Sequence, residues 1–386
     1  RPSNFTKMDD IQCFKSKIRE IMDISKFKIV DVKARPVLVP FRIPPTTASA
    51  KIEDCALVLI DIETNEDLIG HSYLFVYSKA MLSPTVECIE GIKPLLANQI
   101  IEPLELDNYL KKKFRIHNTG GILGQVLSGL DMAFWDAFSQ YLRQPLCRVL
   151  GGSIKPIPTY NSCGLFIQDP EKVGKEAINL VAEGGFQAIK ARVGRPNFKD
   201  DLKTLNNIRD SIGEDISLMC DFNQSLNVNE AIYRCRSLDY EGLDWIEDPI
   251  RHDDYEGCAR IASEITTPLQ IGENLINTYE MQKAIDVMAA DFYMPDVQRI
   301  GGVTGWLRAA AIAHVNDIDL SSHLFPEISC HLLAVTPTCH WLEYMDWANP
   351  VLENPIQVNN GFVEPPNIPG SGVSWNEKAV KKFLVT

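Results

Sequence analysis

The second half of the chain constrains the fold more than anything else in it. After Leu150-Gly151-Gly152, short apolar, β-rich runs alternate with amphipathic stretches. The runs are Ile157–Cys163, Ala188–Arg192, Ile216–Asp221, Leu243–Glu247, Leu269–Glu273, Asp291–Asp296, Ile318–His323 and His340–Glu343. Strands that alternate with helices make βαβ units and a parallel sheet. Eight such runs in about 190 residues predict a closed (β/α)-type barrel, lean for its kind. From the second run onward each ends in a polar or charged group: Lys190 with Arg192, Asp221, Glu247, Glu273, Asp296, His323 and Glu343. From Lys190 onward these lie 31, 26, 26, 23, 27 and 20 residues apart. All strands of a parallel barrel end on one face, so these groups converge on one mouth. A single acid after a strand is ordinarily a helix cap or a solvated turn. A set at one repeat period is a site.

The rest of the chain is organised around that barrel. Residues 151–348 are expected to form it and residues 27–150 a small α+β capping domain. The cap has strands at Phe27–Val39, Ala56–Glu63 and Leu68–Phe75, then helices at Lys79–Asn98, Leu106–Phe114 and Leu123–Tyr141. The Pro/Thr/Ser-rich stretch Arg42–Asp54 reads as an exposed loop. Residues 1–26 read as an N-terminal helical extension around the amphipathic stretch Ile11–Met22. Residues 349–386, rich in Pro and Gly and carrying Trp375, read as a segment returning to the cap.

Charge and cysteine usage exclude whole classes of function. Against 38 Lys and Arg stand 51 Asp and Glu, a net charge of −13. General nucleic-acid binding and anionic-membrane binding both need a basic surface, so neither partner is expected. No apolar run approaches the roughly 18 residues that span a bilayer. Ten scattered cysteines without a CxxC pair read as reduced, mostly buried thiols of a cytoplasmic protein.

The residue types at the mouth then specify chemistry. Asp221, Glu247 and Glu273 end three consecutive strands. Three clustered carboxylates repel one another unless a divalent cation lies between them, and all-oxygen ligation suits Mg2+. Asp296 and His323 end adjacent strands. A carboxylate beside an imidazole fixes its tautomer and raises its basicity, which prepares a general base. Lys190 and Arg192, two apart on a strand, share a face and can meet an anion or neutralise the acids. Glu343 lies in the aromatic run Trp341-Leu342-Glu343-Tyr344, a setting expected to keep its carboxyl protonated. Ile300-Gly301-Gly302-Val303-Thr304-Gly305 looks like a phosphate loop but lacks the lysine, and reads as a tight turn into a helix.

Cap, barrel, Kx[KR], metal acids on strands three to five, an Asp/His dyad and a final Glu resemble the mandelate racemase group of the enolase superfamily (the mandelate racemase/muconate lactonizing enzyme family). Gly70-His71-Ser72-Tyr73-Leu74-Phe75, Gly129 to Asp136 and Ser321-Ser322-His323-Leu324-Phe325 support this resemblance. It implies a modified TIM barrel of (β/α)7β type with the α+β cap, and a homo-oligomer acting on a small carboxylate substrate. It also implies Mg2+ on the acid trio, with the substrate carboxylate helped by Lys190 and Ser162. The proton α to that carboxylate is removed, and Lys190 and Glu343 steady the enolate. Asn223 would touch a substrate hydroxyl. The loop carrying Lys51 and the segment near Tyr73 would close over the mouth.

The resemblance departs from its nearest pattern at Arg192, where the group carries lysine as a second base. Neutralising a guanidinium near pH 7 costs on the order of 7 kcal/mol, which makes it a poor base. Racemisation needs a base on each face, so one-base dehydration of a sugar acid is the favoured expectation. Thr46, Thr47, Ser49 and Lys51 make the cap loop polar, which leans the same way. The alternatives are a 2-hydroxy acid racemase or epimerase, a sugar-lactone cycloisomerase and, more distantly, a non-catalytic binding protein.

Overall fold

A computed structural model describes residues 23–385; the amphipathic stretch Ile11–Met22 lies outside them. Strands β1 (Ile29–Val39), β2 (Cys55–Thr64) and β3 (Ile69–Phe75) form an antiparallel sheet in that order. β2 lies in the middle and nearly every residue of it is buried. Helices α1 (Leu82–Leu96), α2 (Pro103–Lys113) and α3 (Ile122–Tyr141) follow. Helix α3 packs against β3 so closely that a Cβ on Gly70 would come within 2.2 Å of the Ala133 carbonyl. Only glycine permits that approach.

The larger sheet is parallel: β4 (Ile157–Asn161), β5 (Ala188–Arg192), β6 (Ser217–Asp221), β7 (Ile246–Glu247), β8 (Leu269–Ile271) and β9 (Phe292–Tyr293) pair in sequence, and β10 (Leu342–Tyr344) pairs back onto β4. The seventh expected run, Ile318–His323, is not a regular strand. It is joined by isolated bridges to both neighbours, with Ser321 N–H on Tyr293 O (2.9 Å) and Ser322 N–H on Trp341 O (3.0 Å). Those bonds still close the ring. Strands β4, β8 and β9 end before their apolar runs do, whereas β6, β7 and β10 begin later than theirs.

Alternation along the strands fills the barrel in layers. Ile189, Ala191, Leu218, Cys220 and Ile246 join the large core shared with the surrounding helices. Tyr160, Ala188, Met219 and Trp245 form a separate buried cluster, with the Tyr160 and Trp245 rings edge-to-face at 5.5 Å. Lys190 Nζ stands 5.5 Å from the Tyr160 ring centre, so this aromatic plug is the floor beneath the charged layer.

Hydrogen bonds fix the cap to the barrel and to the C-terminal segment. Asp131 on α3 accepts from Thr304 N–H (2.9 Å) and Oγ1 (2.6 Å) at the start of helix α4 (Gly302–Val315). The two-glycine turn before Thr304 is that helix entry, as the sequence suggests. The C-terminal segment returns to the cap: Trp375 Nε1 donates to Asp61 (2.6 Å) and Val385 N–H to Pro36 O (2.9 Å). Among the described residues no helix is long and apolar enough to cross a membrane, and the nine described cysteines are unpaired.

Candidate active site

The strand ends bring the expected groups together. Asp221, Glu247 and Glu273 each offer an oxygen within 4.8 Å of the others. Glu273 comes from beyond the end of β8, and Gly272 makes the turn with φ +133°, where a Cβ would lie 2.9 Å from Met294 N. Three carboxylates with no imidazole or thiolate among their donor atoms fit a hard, oxygen-seeking dication such as Mg2+. Burial and then repulsion by Glu247 push the Asp221 carboxyl well above its usual range, the state of an acid cluster that positive charge would relieve.

Lys190 lies in the same layer, 1% exposed. Its Nζ is 2.5 Å from Glu247, 3.0 Å from Glu343 and 3.7 Å from Asp221. Burial opposes its charge, but Glu247 and Glu343 outweigh burial and hold its pKa far up.

The dyad forms as expected. His323 Nδ1 meets Asp296 Oδ2 at 2.7 Å, which leaves Nε2 facing the cluster, 3.2 Å from Glu273. Burial works against the imidazolium, but Glu273 and the Asp296 hydrogen bond outweigh it and raise the pKa well above the ordinary histidine value.

Arg192 is held in a different way. Its Nη1 donates to Ser162 O (2.9 Å) and Gly164 O (3.1 Å), and its Nη2 to Ser162 Oγ (2.8 Å). Its plane lies 4.7 Å from the Phe166 ring centre. Ser162 Oγ in turn donates to Glu343 Oε1 (2.7 Å), so Ser162 links two protein groups instead of standing free for a substrate carboxylate.

The expectations for Glu343 and Tyr73 need correction. Glu343 is not the neutral acid that its aromatic neighbours suggest. Burial favours protonation, but Lys190, His323 and Arg192 outweigh it and pull the pKa down to about 2. The flanking aromatic side chains face elsewhere, while the carboxylate also accepts from Leu324 N–H (3.0 Å). Tyr73 does not reach the mouth: it is 4% exposed, and its hydroxyl donates to Glu327 (2.7 Å). Asn223 is turned onto Asp221, its N–H at 2.6 Å and Nδ2 at 2.8 Å, with its buried Oδ1 lacking a protein partner.

The loop Arg42–Asp54 is largely exposed, as expected, and rests on the barrel. Ile167 N–H donates to Thr46 O (2.7 Å), Ser49 Oγ to Asn223 O, and Arg42 pairs with Glu183 and Asp346. Lys51 is exposed on that loop, and among the described residues no ion pair ties it to the cluster.

Several residues of the site carried no signal that the strand-end pattern could use. Asn274 and Asp248 directly follow ligand-type acids, so adjacency pointed at them without a role. Asp248 is buried with φ +39°, and burial and repulsion by Glu273 push its carboxyl far up. Gln298 clamps the cap: its Oε1 accepts from Phe75 N–H (2.7 Å) and its Nε2 donates to Phe75 O (3.0 Å). Its own N–H donates to Asp296 Oδ1 (2.7 Å).

Comparison with known proteins agrees with this fold. Residues 29–151 match the family described as "Mandelate racemase / muconate lactonizing enzyme, N-terminal domain", and residues 172–379 match "Enolase C-terminal domain-like". The chain is 31% identical over 259 residues to the L-talarate/galactarate dehydratase of Salmonella typhimurium, covering 67% of this chain and 65% of that enzyme's length. It is 30% identical to the 3,6-anhydro-alpha-L-galactonate cycloisomerase of Streptomyces coelicolor over 90% of this chain and 96% of that one. An enolase of Bradyrhizobium, solved with magnesium and mandelic acid, superposes with a TM-score of 0.89 at 40% identity, covering 94% of this chain and 99% of that one.

Proposed function

The chain belongs to the mandelate racemase/muconate lactonizing enzyme family, and on that premise we propose that it is a Mg2+-dependent enzyme that removes the proton α to a substrate carboxylate and dehydrates a sugar acid. In this reading residues 27–150 are the cap, residues 151–348 the catalytic barrel, and Asp221, Glu247 and Glu273 the metal ligands. Mg2+ held there would supply the positive charge that acidifies the α-proton and stabilises the enolate.

The chain's own residues do the rest. Lys190, buried and paired with Glu247 and Glu343, faces the charge that develops on the substrate carboxylate. Glu343, braced by Ser162, holds Lys190 in place. His323 Nε2 takes the proton from C2, with Asp296 holding the ring by Nδ1. The same imidazolium then returns that proton to the departing C3 hydroxyl. Water leaves, and the enol relaxes to a 2-keto acid.

One observation carries the choice of reaction. Three hydrogen bonds pin Arg192 to Ser162 and Gly164, while His323 is anchored to Asp296 by Nδ1 and turns Nε2 toward the acid cluster, 3.2 Å from Glu273. A site with one base can eliminate or cycloisomerise but cannot easily deliver a proton to the opposite face. A second reading, a 2-hydroxy acid racemase, is favoured by the mandelic acid bound in the Bradyrhizobium neighbour. The test is a screen of the Mg2+-loaded protein in D2O against aldonic, aldaric and uronic acids plus mandelate. The proposal expects one sugar acid to give a 2-keto acid, lost on chelation with EDTA and restored by Mg2+. Deuterium entering both configurations of a recovered acid, without keto product, would establish the racemase instead.

A further inference from the structure

The three metal-ligand acids are not held alike. Asp221 receives two hydrogen bonds from Asn223, two residues on. Glu247 receives the indole N–H of Trp245, two residues back, at 3.0 Å. Glu273 is held by a chain of side chains that leaves the barrel: its Oε1 accepts from Asn274 Nδ2 (3.1 Å), and Asn274 Oδ1 accepts from Arg299 Nη1. The Arg299 guanidinium in turn sits 5.1 Å from the ring centre of Tyr77, a cap residue. Tyr77 has φ +61°, a conformation that a bulky residue adopts only when its surroundings impose it. The imposition is visible. Its ring packs 4.3 Å from that of Phe75, and Gln298 clamps the Phe75 backbone from both sides.

We propose that Arg299 is a positioning residue for the metal site, fixing Glu273 through Asn274, and that Tyr77 in the cap completes its seat. The inference rests on the metal reading of the acid trio given above. Asn274 spans two partners with opposite ends of one amide, so the guanidinium on its oxygen dictates which way its NH2 points. With Arg299 in place the NH2 must face Glu273. Without it the amide turns freely and Glu273 keeps only the His323 contact on its other oxygen, Oε2, to orient it. Outer partners of this kind set metal affinity, and their loss typically costs 10–100-fold. The arrangement also makes the fifth-strand ligand answer to docking of the cap, which the other two do not.

The test uses the full chain stripped with EDTA and titrated with MgCl2 alone, by calorimetry, without substrate. Asn274→Ala and Arg299→Met are each expected to weaken Mg2+ binding about tenfold or more. The double variant should be no weaker than the weaker single, because both break one chain. Tyr77→Phe keeps the ring and should leave the Mg2+ Kd within about twofold, whereas Tyr77→Ala should weaken it. Melting curves in EDTA check that each variant folds; if Arg299→Met does not, Asn274→Ala, which breaks the same chain at its middle, carries the test. Wild-type protein that binds no Mg2+ would remove the metal reading and this inference with it. Wild-type binding with unchanged affinity in Arg299→Met, or in Asn274→Ala where that variant carries the test, would overturn the inference alone. A fall in kcat/KM at that unchanged affinity would mark Arg299 as a substrate contact.

Discussion

Two sides of the mouth carry basic side chains, and the barrel treats them differently. On the side of β4 and β5, Arg192 is tied to Ser162 and Gly164, all within the barrel. On the side of β9 and the seventh segment, His323 is held by Asp296 through one nitrogen, and its supports reach the cap. Gln298 joins the turn after Asp296 to Phe75, and Glu327 joins the helix after His323 to Tyr73. A group whose donors are spent on the protein frame supplies fixed charge. A group anchored at one atom and exposed to the site at another can move a proton. The difference teaches that two bases in a sequence are not two bases in a site.

The sharpest way to break this comparison is to remove His323. His323→Asn keeps a donor toward Asp296 but leaves no base, and turnover should fall by about 10²–10⁴-fold. Exchange of the substrate α-proton with D2O should stop as well, while Mg2+ binding persists. Exchange that continues in the variant would put a base on the Arg192 side after all. The reciprocal change, Arg192→Lys, is expected to act more weakly. Lysine recovers some of the hydrogen bonds to Ser162 and Gly164, and charged hydrogen bonds are worth about 1.5–3 kcal/mol each, so a loss of roughly tenfold in kcat/KM follows. Product configuration should not change. Racemised product from that variant would mean that the side lacks only a titratable amine, not access to the substrate.

The barrel and the convergence of its acids were legible because strand ends and the repeat period are local features that topology converts directly into proximity. Asp221, Glu247, Glu273, Asp296 and His323 needed no more than that. What sequence could not give was direction. The aromatic neighbours of Glu343 along the chain are not its neighbours in space, so the expected neutral acid is a carboxylate among cations. Tyr73 lies in the right segment, but it is Tyr77, four residues on and in left-handed backbone, that meets Arg299. Its place depends on how cap and barrel dock, which no short-range pattern encodes. The seventh run had the composition of a strand, yet its residues serve both neighbours through isolated bridges.

The smallest effect tests whether the His323 side truly leans on the cap. Glu327 is buried, with Oε2 taking the Tyr73 hydroxyl and Oε1 lacking a protein partner. Burial raises its pKa from 4.5 to about 7, only partly offset by the Tyr73 hydrogen bond. The folded protein therefore holds a proton that the unfolded chain releases first. The stability this contributes is complete below about pH 4.5, declines between there and about pH 7, and is gone above, a change of about 3 kcal/mol at most. Glu327→Gln has no proton to lose. The difference in denaturant stability between wild type and this variant should thus fall as pH rises from 4.5 to 7, with wild type losing ground. A difference that stays flat across that window would mean that Glu327 is already ionised against Tyr73, and that the joint is a charged one like that of Arg192. Should the slope be present and the kcat of Glu327→Gln be lowered at constant KM, the helix after His323 is held in register by the cap rather than by the barrel alone.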